Sequence, residues 1–280
     1  MNVYEKDNLV VIENVLSFNL EHIFECGQCF RWNKNADKSY TGVAAKKAIR
    51  LWEEDGTLFI EGTTKEEFFS LWYDYFDFET DYEKIKEELK KDKTVKEAIK
   101  SGFGIRILRQ ELFETVISFI ISQNNNIPRI KLIIERFCEL FGDKIYLGDK
   151  EYFAFPDYTA LKDITTDDLK PLKAGFRDKY IIDAIKKFND GFSLSDDYTK
   201  AKEELLKIKG IGEKVANCIL LFSLHHTNAF PIDVWVKRLM NHYYSLSPEE
   251  ISEFAKENFG ELSGFAQQYL FYHARGIKLK

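Results

Sequence analysis

The apolar positions of this chain follow two different rhythms, one before and one after about residue 80. In the first sixty residues they fall into short runs rich in β-branched and aromatic side chains, at Asn8–Glu13, Phe30–Asn33, Tyr40–Ala45 and Ala48–Glu53. Such runs predict strands. Asp55-Gly56 stands between two of them as a hairpin signal, because glycine accepts the positive φ that tight turns demand. Thr63-x-x-Glu66 and Thr64-x-x-Glu67 then read as capping boxes that open a helical stretch. From Asp81 onward the apolar residues recur every three to four positions. Helices are expected near 81–91, 94–101, 109–122, 127–141, 166–172, 177–188, 197–207, 213–224, 234–244, 248–257 and 261–275. The pattern is that of an α+β protein: an antiparallel sheet domain over 1–100, then a helical domain over 101–280, with the changeover inside 76–105.

Composition narrows the class. The 280 residues are 45% hydrophobic and 15% aromatic, enough for substantial cores. No apolar run approaches bilayer length and the N-terminus has no signal pattern. The expectation is a soluble intracellular protein with no membrane partner, cytoplasmic or nucleoid-associated if prokaryotic. Cys26-x-x-Cys29 has metal-finger spacing but lacks the second pair a zinc site needs, and no cysteine follows Cys218, so a C-terminal four-cysteine iron–sulfur loop is excluded. The formal charge of −6 is unfavourable for a nucleic-acid binder. Between Lys200 and Met240, however, seven basic residues face four acids, a local excess of three.

That local excess surrounds the densest candidate chemistry. Lys209-Gly210-Ile211-Gly212-Glu213-Lys214 joins two predicted helices, the hairpin falling at about 205–214. Two glycines permit a tight turn that leaves backbone amides pointing outward at a helix N-terminus, an anion site suited to a DNA phosphate. An ordinary glycine-capped helix connection reads the same way. Asp233 follows nineteen residues after Lys214, where the next helix starts. As an N-cap it contributes about 1 kcal/mol, and it leaves a carboxylate oxygen to face a cleft. Cys218 lies four residues after Lys214, on the same helix face. Amine, carboxylate and thiol around one pocket suit covalent amine chemistry, in which a neutral lysine attacks while aspartate stabilises cationic charge.

The hairpin, the lysine directly after Gly-Ile-Gly-x, and the aspartate beyond resemble the helix-hairpin-helix DNA glycosylases, of which the lysine marks the bifunctional members. Four further stretches resemble the 8-oxoguanine branch: Gly27-Gln28-Cys29-Phe30-Arg31-Trp32; Leu108-Arg109-Gln110 with Ser118-Phe119-Ile120 and Asn124-Asn125-Asn126-Ile127-Pro128-Arg129; Gly175-Phe176-Arg177; and Gly264 through Phe271. The resemblance implies a TBP-like N-terminal domain and an enzyme that flips 8-oxoguanine out of duplex DNA, excises it through a Schiff base and nicks the strand by β-elimination. It gives Lys214 and Asp233 the catalytic roles. Gly27 would accept the N7–H that guanine lacks, Gln267 would read the Watson–Crick edge, and Phe271 and Cys218 would hold the two faces of the base.

On the DNA side the resemblance implies that Asn124 fills the vacated space, Phe176 wedges beside it, and Arg129 and Arg177 bond to the opposite base, favouring cytosine. Gly210, Gly212 and Trp235 would face the phosphates. No cofactor is required, though the backbone carbonyls of Leu206, Ile208 and Ile211 are expected to hold a monovalent cation. The protein would act as a monomer. Three departures stand out: Phe176 replaces the family's usual Tyr, Trp235 a phosphate-contacting His of animal members, and Gln123 a Ser. Two alternatives stay open, a monofunctional alkylated-base glycosylase and a non-enzymatic hairpin protein that binds DNA.

Overall fold

The computed structural model describes residues 1–277. Six strands form one antiparallel sheet: β1 (Asn2–Lys6), β2 (Leu9–Glu13), β3 (Trp32–Lys34), β4 (Tyr40–Ala44), β5 (Lys47–Glu54) and β6 (Thr57–Glu61). Their order across the sheet is β1-β2-β6-β5-β4-β3. Register places Val10 opposite Ile60 and Leu51 opposite Ile60 from the other side, so every second residue points to one face. That face carries Val10, Ile12, Ile49, Leu51, Leu58 and Ile60, all buried.

Against it pack α1 (Leu20–Phe24) and a helical segment made of α2 (Lys65–Glu67), a π-helical turn (Phe68–Trp72) and α3 (Tyr73–Tyr75). Thr64 caps α2 as its sequence suggests, its hydroxyl accepting from the Glu67 amide at 3.2 Å. Aromatic rings fill the space between the layers: Phe24 stacks on Trp32 at 4.2 Å, and the Trp32 indole donates to the Tyr75 hydroxyl at 2.9 Å.

Strand β1 and helix α1 are not evident in the sequence pattern: α1, at five residues, is too short to show a helical period, and β1 is hidden by its turn. Asp7-Asn8, Ala45-Lys46 and Asp55-Gly56 each put two consecutive residues at positive φ, the geometry of a two-residue hairpin. Only the last contains glycine, so only the last announces itself.

The helices are α4 (Tyr82–Leu89), α5 (Lys93–Ser101), α6 (Leu112–Ser122), α7 (Ile127–Phe141), α8 (Asp178–Asn189), α9 (Tyr198–Leu206), α10 (Glu213–Phe222), α11 (Val234–Tyr244), α12 (Ile251–Phe259) and α13 (Ser263–Gly276). Helices α6 and α10 are apolar on nearly every side and lie at the centre. The expected helix at 166–172 is a single 3₁₀ turn, Lys170–Leu172, because Pro171 offers no amide and Lys173 turns left-handed. Residues 143–157, unassigned in the sequence, hold a small hairpin of β7 (Lys144–Leu147) and β8 (Lys150–Phe153).

Two cores result, and the chain crosses between them more than once. Tyr82, Leu89, Val95, Ala98 and Ile99 belong to the helical core, whereas Leu108 belongs to the sheet core. Buried Arg106 binds the crossings together, donating to the carbonyls of Leu16, Ser17 and Asp77 while lying over the Tyr82 ring at 4.8 Å. Each of its three nitrogens has an acceptor, which is what a buried guanidinium requires.

Candidate active site

The segment from α9 to α10 folds as Gly210 dictates. Gly210 has φ +86°, and a Cβ there would stand 2.5 Å from Tyr180 Cδ2, so the turn needs glycine for both conformation and space. The Ile211 amide donates to Ile208 O at 3.1 Å, closing the turn, and Lys209 is fastened to α8 by its backbone amide, which donates to Asp183 Oδ2 at 2.9 Å. Gly212 is the N-cap of α10 and supplies no side-chain acceptor, so the first amides of α10 have no cap. Lys214 stands in that first turn with its ammonium 5.2 Å from the centre of the Phe119 ring.

Asp233 is the N-cap of α11, accepting from the Val236 amide at 2.8 Å. Burial raises its carboxyl above the ordinary value, opposed by the Val236 amide and by the positive charge of Lys214. Lys214 and Asp233 line the same cavity, yet the two form no ion pair among the described residues. The amine is therefore beside the carboxylate without being tied to it.

That cavity also takes Cys218 from α10, Gly27 from the loop before β3, and Gln267 and Phe271 from α13. Cys218 is buried, which raises its thiol pKa, an effect the neighbouring Lys214 opposes. Gly27 has φ +80°, and a Cβ on it would come within 3.1 Å of Phe271 Cε1, so the loop and ring are already in contact. The Gly27 loop is held rigidly by Gln28. Its Nε2 donates to Ile23 O at 2.9 Å and to Arg106 O at 2.7 Å, while its Oε1 accepts from the Leu108 amide at 2.9 Å. The cavity measures about 40 Å³. That admits a few waters and no purine, so a base enters only if its walls part.

A groove of about 580 Å³ adjoins this cavity, lined by Asn124, Gly212, Lys214, Asp233, Trp235 and Lys237. Asn124 is left-handed at φ 47° and exposed. Trp235 is exposed with Arg238 lying 5.7 Å over its ring. Phe176 is 54% exposed, more than half free of the core, although it is one of the largest apolar side chains. The two arginines differ. Arg129 is exposed and donates to Lys173 O at 3.3 Å. Arg177 is buried and committed to backbone, bonding Gln123 O, Asn124 O and Ala174 O. In this state Arg177 shapes the loop that carries Asn124.

Some residues of the cavity carry no role in the sequence reading: Cys26, Phe119, Phe222, Pro231 and Gln268. Most look like core in sequence, and nothing in a lone apolar position marks a cavity wall. Cys26 and Cys29 face different cores, the former helical and the latter sheet, so the pair shares no site. Burial pushes the Cys26 thiol up to about 12, which makes it inert.

A hairpin that exposes amides, a lysine sharing a cavity with a half-buried carboxylate, and an adjoining open groove are the parts of an enzyme that acts on a base flipped out of DNA. Comparisons with known proteins specify the branch. The family model for the 8-oxoguanine DNA glycosylase N-terminal domain matches residues 10–116, and that for the HhH-GPD superfamily of base excision DNA repair proteins matches residues 117–262. The chain belongs to the HhH-GPD superfamily, in its 8-oxoguanine DNA glycosylase branch.

The 8-oxoguanine glycosylase/lyase of Clostridium acetobutylicum, solved with double-stranded DNA containing cytosine opposite 8-oxoguanine, is 42% identical with a TM-score of 0.94, covering 99% of this chain and 98% of that one. MBOgg1, solved with a low-affinity DNA ligand, is 45% identical with a TM-score of 0.95 over 98% of both chains. A probable N-glycosylase/DNA lyase of Methanothermobacter thermautotrophicus is 32% identical over 234 residues, which is 74% of this chain and 72% of that protein. No helix among the described residues is long and apolar enough to cross a membrane.

Proposed function

We propose that Lys214 is the nucleophile and Asp233 the electrostatic partner of a two-step reaction on damaged DNA. The protein is a bifunctional 8-oxoguanine DNA glycosylase and AP lyase, as its relatives are, and this sets aside both the monofunctional and the non-enzymatic alternatives. The observation that carries the assignment of roles is the single cavity shared by Lys214, Asp233, Gly27 and Gln267.

In this reading the Lys214 amine attacks C1′ of the flipped nucleotide. The C1′–N9 bond breaks, a C1′–Nζ bond forms, and the departing base takes up the proton the amine gives away. Ionised Asp233 stabilises the positive charge that develops on the sugar. Ring opening gives a Schiff base, which acidifies the C2′ proton. Loss of that proton expels the 3′ phosphate and nicks the strand.

The Gly27 carbonyl accepts the N7–H of 8-oxoguanine, Gln267 reads the Watson–Crick edge, and Phe271 and Cys218 sandwich the ring. Phosphates dock on the Gly210–Gly212 amides and beside Trp235, Asn124 fills the gap, Phe176 wedges the stack, and Arg129 with a released Arg177 favours cytosine opposite the lesion. A monovalent cation suits the carbonyls of Leu206, Ile208 and Ile211. Ile208 O accepts one bond, from Ile211, and keeps a second lone pair. The cation would neutralise phosphate charge; the chemistry itself requires no cofactor, and one copy of the chain holds the complete set of groups.

Borohydride trapping on a duplex with one 8-oxoguanine opposite cytosine tests this reading. Wild type is expected to form a covalent adduct and Lys214→Gln none. An adduct that persists in Lys214→Gln would place the nucleophile elsewhere.

A further inference from the structure

Gln268 lies next to Gln267 on α13, and both line the cavity. Each is 3% exposed. Gln268 Nε2 donates to Gln267 Oε1 at 2.9 Å. Gln268 Oε1 is buried and meets no hydrogen-bond donor. An orphaned acceptor in a protein interior costs stability that an apolar residue of the same size would avoid. The amide therefore has a use that its own packing does not explain.

The use follows from the chemistry of Gln267. A carboxamide is nearly symmetrical in shape and opposite in hydrogen bonding at its two ends. A guanine-type edge presents the O6 acceptor beside the N1–H and N2–H₂ donors. An adenine-type edge presents the N6–H₂ donor beside the N1 acceptor. An amide free to turn over fits either order. An amide whose oxygen is held by a fixed donor fits one.

We infer that Gln268 is the specificity-determining partner of Gln267: its Nε2 holds the Gln267 amide in one polarity, so that the cavity accepts a guanine-type edge and refuses an adenine-type one. This rests on the assignment of Gln267 as the base reader. Gln268 is a positioning residue, since it acts through Gln267.

The test uses duplexes carrying 8-oxoguanine or 8-oxoadenine opposite cytosine. The two lesions share N7–H and the C8 carbonyl, so the Gly27 contact is the same, and they differ at the edge in question. Single-turnover excision is measured for the wild type, Gln268→Glu and Gln268→Met, beside cleavage of a preformed abasic site, which requires no base reading. Glutamate can only accept, so it draws the Gln267 Nε2 toward itself and reverses the amide. Gln268→Glu is expected to slow 8-oxoguanine excision about tenfold and to raise the 8-oxoadenine to 8-oxoguanine ratio about a hundredfold, one misdirected hydrogen bond being worth roughly a factor of ten. Gln268→Met releases the amide without reversing it, and the ratio rises about fivefold.

A ratio within twofold of wild type in both variants overturns the inference. So does a parallel fall in abasic-site cleavage, which marks a purely structural role. Should Gln268→Glu fail to fold, the ratio in Gln268→Met decides alone. Failure of the wild type to release 8-oxoguanine would instead overturn the base-reading assignment beneath it.

Discussion

The two halves of the site are built in opposite ways. The chemical half, the 207–214 turn with Lys214 and the start of α11 with Asp233, comes from one stretch of fewer than thirty residues. The reading half, Gly27 with Gln267 and Phe271, joins a loop of the sheet domain to the last helix. In the proposed roles, local turns position the nucleophile and tertiary packing positions the selector. Reactivity and specificity are thus held by different parts of the fold, and substitutions separate them.

The largest break is in the chemical half. Lys214→Gln is expected to remove Schiff-base trapping and strand cleavage outright and to cut excision by about 10³-fold or more, while thermal melting stays near wild type. Asp233→Asn comes next. Asparagine caps a helix about as well as aspartate, so the fold persists and single-turnover excision falls by about 10²-fold.

Its stability change has a definite sign. The folded carboxyl is raised above its ordinary value by burial, so its contribution to stability is present below the unfolded value and lost as pH rises through the folded one. At neutral pH the Asn variant is therefore slightly more stable in thermal melts, and the acid limb of the wild-type rate profile lies above the ordinary aspartate range. A destabilised Asn variant would mean that the carboxylate's role is structural.

Gly27→Ala strikes the reading half. The added Cβ meets the Phe271 ring at 3.1 Å and the residue must hold φ +80°, a strained conformation for alanine. Excision of 8-oxoguanine is expected to fall roughly 10–100-fold with cleavage of a preformed abasic site much less affected. Equal losses on both substrates would deny the separation of the two halves.

The smallest effect tests what holds the halves together. Asp77, after α3, accepts from Tyr82 at 2.7 Å and Arg109 at 3.1 Å, and His225, just past α10, lies 3.2 Å away. Burial by itself would raise the Asp77 carboxyl, but His225, Tyr82 and Thr80 override it and bring it from 3.8 to about 2. A depressed pKa contributes stability above the unfolded value and loses it as pH falls through the folded one. Wild type should thus lose about 2 kcal/mol between pH 4 and pH 2 that Asp77→Asn does not lose. Chemical denaturation across that window measures it, with excision at neutral pH changed only a few-fold.

The α+β plan and most helices, α7 (Ile127–Phe141) and α11 (Val234–Tyr244) among them, can be read from the chain alone, because helical periodicity and caps are local properties. The hairpin was legible for the same reason: Gly210, at positive φ, sets the turn locally. Gly27, Gln267 and Phe271 were legible only through family resemblance, since no spacing in the chain brings them together. Tertiary structure alone decided that Arg177 is buried against the Asn124 loop, that Gln28 anchors Gly27, and that Gln268 binds Gln267. A polar side chain's partner depends on contacts distant in sequence, and residue type states only that some partner is needed.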